Sequence, residues 1–269
     1  MPRTLIAIAA AFLLAGCSPP PVEGPRLVLS GPRLFQPLLA ELAKRHAART
    51  PGVRIDHETS QPGRAVADAR EGLTDVAIVG RELRPDETGV EARPLARDGL
   101  GFIVHRSNSL ASLTEAQASG LFTRLYINWR EIGGADRPVT VVGLTDGRAA
   151  RVAFLDFLGL RGAQVRPEPA VASSEQAAVA VAARPGAVGY VSLAGAREAI
   201  KAGIIRVVPL AGTTPNADTI STGKYPFVRT VVLVSRLEPP PAVQAFLDFA
   251  LSEENRALLA EQGLVPGGP

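Results

Sequence analysis

The chain has 269 residues, more than the usual single domain of about 100–150 residues, which predicts two lobes or one large α/β unit. Hydrophobic residues make up 46% and charged residues 20%, so the composition excludes a disordered chain. The formal net charge of +3 comes without a long run of basic residues, so the charge does not indicate a nucleic-acid partner. One cysteine excludes an internal disulfide, and its spacing to the histidines predicts neither a metal site nor a cofactor.

Residues 1–16 have the pattern of a signal peptide. Arg3 precedes the apolar run Leu5–Leu14, which is shorter than the ~18–20 residues of a membrane-spanning helix. The stretch Leu14-Ala15-Gly16-Cys17 resembles a bacterial lipoprotein signal, which implies that Cys17 becomes the lipid-carrying first residue of the mature protein. The alternative is a secretory signal with an incidental cysteine. Residues 17–25 are rich in proline and predict an extended tether.

From Arg26 onward, β-rich runs alternate with helical patterns, which is typical of an α/β fold with mainly parallel strands. The predicted strands are Arg26–Ser30, Val53–His57, Val76–Val79, Gly101–His105, Val139–Val142, Ala187–Val191, Ile204–Pro209 and Thr230–Val234. The predicted helices are Leu34–Ala48, Ala65–Glu71, Glu115–Leu121, Ala149–Leu158, Ser174–Ala183, Ala194–Lys201, Ala242–Leu251 and Glu253–Gln262. Ser173 and Gln176 have the spacing of a capping box. One helix has a core face with i, i+3, i+4, i+7 spacing, formed by Val243, Phe246, Leu247 and Ala250.

Three turns bring a small or rigid residue to the start of a predicted helix: Ser30-Gly31-Pro32-Arg33, Thr59-Ser60-Gln61-Pro62-Gly63-Arg64 and Thr145-Asp146-Gly147-Arg148. A helix start presents unpaired N–H groups and partial positive charge, so each turn is a potential anion seat. Arg33, Arg64 and Arg148 could each hold a phosphate or carboxylate through the planar guanidinium fork. We expect the three arginines to converge in one cleft. The alternative is that they are solvated or paired with carboxylates.

Four stretches, taken in chain order, make a family recognisable: Gly72–Ile78, Leu121–Gly134, Pro185–Val191 and Gly223–Pro226. With them the chain resembles, from about Arg26 to Pro266, the phosphate-binding-protein family of periplasmic solute receptors that feed ABC importers. The resemblance implies a type II periplasmic-binding-protein fold, in which two α/β lobes are joined by two crossover strands and the ligand lies between them. Lobe 1 would comprise residues 26–96 and 204–269, and lobe 2 residues 97–203. Trp129 is expected to be buried.

The binding loops depart from the family's pattern. The usual Gly-Ser-Thr-Thr is Gly31-Pro32-Arg33-Leu34 here, the usual Gly-Ser-Gly is Gln61-Pro62-Gly63, and the usual Arg-x-x-Gly-Ser-Gly-Thr is Leu144–Ala150. Pro32 and Pro62 also lack an amide N–H. The candidate ligand-binding residues are Gly31, Arg33, Ser60, Gly63, Arg64, Arg81, Gly147 and Arg148.

Two functional hypotheses follow. In one, the chain is an extracytoplasmic, lipid-anchored receptor whose arginines replace the hydroxyls and capture phosphate or a bulkier anion for an ABC importer permease. In the other, the site has decayed and the fold persists as a lipid-anchored scaffold or signalling module. An enzyme is the third class, and it is not expected, because Ser30 and His57 lie near turns but in no nucleophile elbow or zinc-hydrolase motif.

Overall fold

The computed structural model describes residues 24–267, so the signal peptide, Cys17 and most of the tether lie outside the described residues. The strands are β1 (Arg26–Gly31), β2 (Arg54–Thr59), β3 (Val76–Val79), β4 (Val90–His105), β5 (Thr140–Val141), β6 (Gly143–Leu144), β7 (Ala170–Val171), β8 (Ala187–Ser192), β9 (Ile205–Val208), β10 (Val228–Arg236) and β11 (Val265–Pro266). The α-helices are α1 (Gln36–Arg49), α2 (Pro62–Glu71), α3 (Glu115–Phe122), α4 (Ala149–Leu158), α5 (Ser174–Ala182), α6 (Leu193–Lys201), α7 (Ala217–Ser221), α8 (Pro241–Leu251) and α9 (Arg256–Glu261). Short 3₁₀ helices cover Arg33–Phe35, Trp129–Ile132, Gly162–Gln164 and Glu253–Asn255.

The α/β class is confirmed, with a mixed sheet. The main sheet has the order β2-β1-β3-β10-β4-β8-β5, with β9 and β11 also paired to β4, and β6 pairs with β7 separately. Parallel pairs join β1 to β2 and β3, β5 to β8, and β6 to β7. Every antiparallel pair in the described residues includes β4 or β10. The expectation of mainly parallel strands therefore holds within each half of the sheet, whereas the strands that connect the halves run against their neighbours.

Strand β4 connects the two halves. Its first part, Val90–Gly99, pairs with β10, and its second part, Leu100–His105, pairs with β8 and β9. Sequence analysis predicted only Gly101–His105, because Pro94 and the charged residues before Gly99 break the apolar run. The structure accommodates Pro94 next to a shift of register between Val231 and Val232 of β10.

The pairing moves the predicted lobe boundaries. Strand β9 pairs with the second part of β4, and Ile205, Val208 and Phe227 are buried in the core formed around β8. Placing residues 204–227 in lobe 1 therefore disagrees with the packing. We propose that residues 24–99 and 228–267 form lobe 1 and that residues 100–227 form lobe 2.

Lobe 1 has an apolar layer on each face of its sheet, because side chains alternate along a strand. Val76 and Ile78 of β3 pack in a cluster with α1, α8 and α9, whereas Ala77 and Val79 pack with α2 on the other face. The predicted core face of the last long helix is confirmed: the first cluster includes Val243, Phe246, Leu247 and Ala250.

Lobe 2 has one aromatic core. Phe122 and Phe154 meet edge to face with ring centroids 4.7 Å apart, and Phe154 stacks on Tyr190 at 3.8 Å. Trp129 is buried as expected, and its indole Nε1–H donates to the Gly186 carbonyl at 2.9 Å. Within residues 24–267, none of the helices has the length and apolar character needed to span a membrane.

Candidate functional site

A cleft of about 540 Å³ lies between the lobes. Lobe 1 contributes the segment from Pro32 to Pro37, the start of α2, and Arg229 of β10. Lobe 2 contributes the starts of α4, α5 and α6. The charged residues of its lining are Arg33, Arg148, Glu175, Arg197 and Arg229, and its apolar residues are Pro32, Leu34, Phe35, Pro37, Pro62, Leu144, Ala149, Ala150 and Ala172.

The cleft lies where strands end and helices begin. Strands β1, β2, β6, β7 and β8 are each followed by a helix whose first residues line the cleft. Ligands of open α/β sheets bind at the carboxyl ends of the strands, because the helix starts there present N–H groups and partial positive charge. The arrangement therefore favours a negatively charged ligand.

These helix starts are of two kinds. The Ser173 hydroxyl accepts the Gln176 N–H at 3.2 Å and caps α5, and the Ser192 hydroxyl accepts the Gly195 N–H at 3.1 Å and caps α6. In the part of the chain that the structure describes, no side chain caps the starts of α2, α4 or the 3₁₀ helix that leads into α1. The uncapped starts are those of the three turns that the sequence predicted as anion seats, although prolines remove one N–H from two of them.

The capping box predicted at α5 is half formed. Its serine caps the helix, but the Gln176 side chain accepts from the Ala172 N–H at 2.8 Å rather than from the Ser173 N–H. Both side chains are therefore engaged with the local backbone.

Two predicted arginines line the cleft without a protein partner. Arg33 lies in lobe 1 and Arg148 is the N-cap residue of α4 in lobe 2. Neither guanidinium makes a hydrogen bond or ion pair with any residue between 24 and 267. Each therefore has its full set of donors available to a ligand.

Arg64 and Arg81 are not among the residues that line the cleft, and each pairs with a carboxylate. The Arg64 Nε lies 2.7 Å from an Asp68 carboxylate oxygen one turn along α2. Arg81 forms a bidentate pair with Glu87, with both N–O distances 2.6 Å. Burial would raise the pKa of Glu87, but hydrogen bonds from Arg81 and the Arg84 amide outweigh burial and hold it below its ordinary value. Arg64 is therefore not among the residues that line the cleft, and a carboxylate within its own helix binds its guanidinium.

Of the remaining predicted residues, some line the cleft and others do not. Gly147 lines the cleft with φ 75°, a left-handed conformation that favours glycine. Gly31 is needed for packing, since an added Cβ would lie 2.4 Å from Ile78 Cγ2, and its carbonyl accepts the Ser60 N–H at 2.9 Å. Neither Ser60 nor Gly63 is among the residues that line the cleft.

Sequence reasoning missed Arg229 and Arg197. Arg197 of α6 lies 3.3 Å from Glu198 and donates to the Ala194 carbonyl. The Arg229 side chain is 5% exposed and pairs with Asp98. A charged residue at the start of the apolar strand Thr230–Val234 was the available signal, because strand interiors rarely bury an arginine without a purpose or a partner.

The sequence matches a known protein family over most of its length. Residues 18–254 match the family described as the PBP superfamily domain, so the chain belongs to that family. Among curated relatives, the phosphate-binding protein PstS of Bacillus subtilis is 24% identical over 246 residues, covering 89% of this chain and 80% of the relative. The protein of the same name from Borreliella burgdorferi is 22% identical over 247 residues, covering 88% of each.

Solved structures agree on the fold. A putative phosphate ABC transporter substrate-binding protein with bound phosphate from Clostridium perfringens superposes with a TM-score of 0.80 at 24% identity, covering 91% of this chain and 100% of that one. An ABC-type phosphate transport receptor from Vibrio cholerae gives a TM-score of 0.77 at 22% identity, covering 89% and 99%. The predicted resemblance to phosphate-binding proteins is confirmed. These relatives are named as binding proteins and receptors, not enzymes.

Proposed function

We propose that this chain is an extracytoplasmic receptor that captures a small oxyanion, phosphate or a larger anionic solute, for an ABC importer. One observation carries the proposal: uncapped helix starts and the unpaired Arg33 and Arg148 meet in one cleft. The two guanidinium groups belong to different lobes. An anion that binds both favours the closed arrangement of the lobes, and ligand capture then follows from hinge motion.

The experiment is a thermal-shift series on the full chain with inorganic phosphate, sulfate, glycerol 3-phosphate and succinate. A ligand that binds only the folded state stabilises it by about 2.7 kcal/mol at 100 times its Kd, which corresponds to a rise in Tm of about 5–10 °C. We expect such a rise with at least one of these anions, smaller at high salt because ions screen the arginines. No rise with any of them would contradict the proposal.

The second candidate function is a scaffold that keeps the fold without binding an anion. Its support is that the hydroxyls of Ser173 and Ser192 are occupied as helix caps, and that Pro32 and Pro62 offer no N–H. In the thermal-shift series a scaffold has the same Tm with and without every anion.

The lipid anchor belongs to the same proposal. A receptor that hands its solute to a membrane transporter gains from being held at the membrane, and Cys17 follows an apolar run that ends in small residues. In cell fractionation, Cys17→Ser is expected to release the protein from the membrane, whereas the neighbouring Ser18→Ala should stay bound. A Cys17→Ser variant that remains in the membrane fraction would show that another segment anchors the chain.

A further inference from the structure

A buried ion pair lies at the junction of the two lobes. Asp98 of β4 and Arg229 of β10 face each other in register on the strands that connect the lobes. The Asp98 side chain is fully buried and that of Arg229 is 5% exposed. Replacing a buried pair of this kind by apolar residues is often neutral or stabilising, so stability alone does not explain why it is there.

All the hydrogen bonds that Asp98 accepts from side chains go to one of its two carboxylate oxygens. Arg229 Nε and Nη2 both donate to Asp98 Oδ2, at 2.8 and 2.6 Å, and the Ser192 hydroxyl donates to the same oxygen at 2.7 Å. Asp98 Oδ1 is buried and has no hydrogen-bond partner among the described residues. Arg229 Nη1 donates to no group within residues 24–267. One edge of the guanidinium is therefore fixed by Asp98, and its remaining donors are unused.

The surroundings hold this guanidinium against the cleft. Arg229 is one of the lining residues, with Phe35 beside it at 6.0 Å from the ring centroid to Cζ. On the lobe 1 side the guanidinium packs on Gly80, where an added Cβ would lie 3.1 Å from Cζ and from Nη1. The glycine leaves room for the guanidinium, and Asp98 and Ser192 fix its orientation.

We propose that Arg229 is the anion seat at the floor of the cleft, where Nη1 donates to an oxygen of a carboxylate or phosphoryl group while Asp98 positions the guanidinium. The inference rests on the proposed function and adds to it a buried contact besides those of Arg33 and Arg148. A donor in a nearly dry site is worth more to an anion than the same donor at an exposed rim. Asp98 is a positioning residue.

The test is titration calorimetry of the full chain with inorganic phosphate, glycerol 3-phosphate and succinate, using the probe that binds most tightly for the variants. The double variant Asp98→Asn with Arg229→Gln removes both charges together, so no buried charge is left without a partner. We expect it to unfold cooperatively and to bind at least about tenfold more weakly, the effect of one hydrogen bond to a charged group. Wild-type affinity in the folded double variant would overturn the inference.

Asp98→Asn alone is a second, independent test of the anion seat at Arg229. Its amide oxygen can still accept from Arg229 and position the guanidinium, whereas the carboxylate charge that competes with the ligand is gone, so binding is expected to tighten severalfold and to depend more steeply on salt. Unchanged or weaker binding in this variant would count against the anion seat. If the double variant fails to fold, Arg229→Lys decides, because lysine keeps a positive charge beside Asp98 but lacks Nη1; wild-type affinity in that variant would overturn the inference.

Failure of this inference differs from failure of the proposed function. If Arg148→Ala weakens binding but the double variant does not, the receptor function stands and Arg229 has only a structural role. If the wild-type chain binds none of the three probes, the proposed function fails and the anion seat fails with it. Arg64→Ala is the matched control and should bind like the wild type, because Asp68 already holds that side chain.

Discussion

Two groups of arginines lie near the cleft and differ in what stands next to them. Arg64 and Arg81 each have a carboxylate within reach, and their donors are used inside lobe 1. Arg33 and Arg148 have none among residues 24–267, and both side chains line the cleft. All four follow or begin a turn at the end of a strand. A place after the end of a strand therefore does not by itself define an anion site, since a carboxylate beside the arginine can occupy its donors.

Arg229 combines the features of the two groups, because it has a carboxylate partner and also lines the cleft. Arg229→Gln alone leaves Asp98 buried without its counter-charge, so we expect unfolding to become easier by about 3–5 kcal/mol. Denaturant unfolding measures this. Arg148→Gln is the control, and its stability should lie within about 0.5 kcal/mol of wild type because its guanidinium has no partner to lose within residues 24–267. Equal stability of Arg229→Gln and wild type would show that the pair contributes little to the fold.

Anion affinity separates the two groups directly. Arg148→Ala is expected to weaken binding by about 1.5–3 kcal/mol, the value of a hydrogen bond to a charged group, and to leave stability unchanged. Arg64→Ala is the matched control in calorimetry, with affinity unchanged because its side chain is held by Asp68. If both variants lose the same affinity for the anion, or if neither loses any, the distinction between paired and unpaired arginines is wrong.

The serine hydroxyls allow the same test for neutral groups, namely whether a group is engaged within the protein or available to the ligand. Ser173→Ala removes the cap of α5 and should lower stability by about 1 kcal/mol, with little change in anion affinity. Both quantities come from the same purified variant, by thermal unfolding and calorimetry. A large loss of affinity with unchanged stability would mean that this hydroxyl serves the ligand instead of the helix.

Much of the fold could be predicted because its signals are local. Strand β3 and helix α4 have the bounds that the sequence predicts, since an uninterrupted apolar run and a glycine stop mark them. The first half of β4 could not be predicted, because its alternating charged residues are stabilised by pairing with β10, more than a hundred residues away. The predicted boundary at 204 differs from the pairing for the same reason: β9 is placed by distant pairing with β4, which no local pattern reports.

The positions of the three turns of the candidate site could be predicted from the sequence, but not all of the carboxylates that pair with its arginines. The three turns lie at uncapped helix starts, as their small residues indicate. The pairing of Arg64 with Asp68 could have been found, since the i, i+4 spacing places both on one helix face. The Asp98 and Arg229 pair could not, because 131 residues separate them and only the register of β4 and β10 brings them together.

The smallest effect concerns pH and the paired arginines. The pKa of Glu87 in the folded protein lies below its ordinary value of 4.5, because the hydrogen bonds from Arg81 and the Arg84 amide outweigh burial. As the pH falls, the unfolded chain therefore takes up this proton first, so the stability that Glu87 contributes is present above about 4.5 and is lost as the pH falls through the folded pKa. Urea unfolding between about pH 7 and pH 3 should show the wild type more stable than Glu87→Gln near neutrality and the gap closing under acid. The exposed neighbour Glu82→Gln is the control and should follow the wild-type profile. A gap that stays constant with pH would mean that Glu87 does not hold Arg81 as an ion pair, and Arg81 would then belong with the arginines that are free to bind the anion.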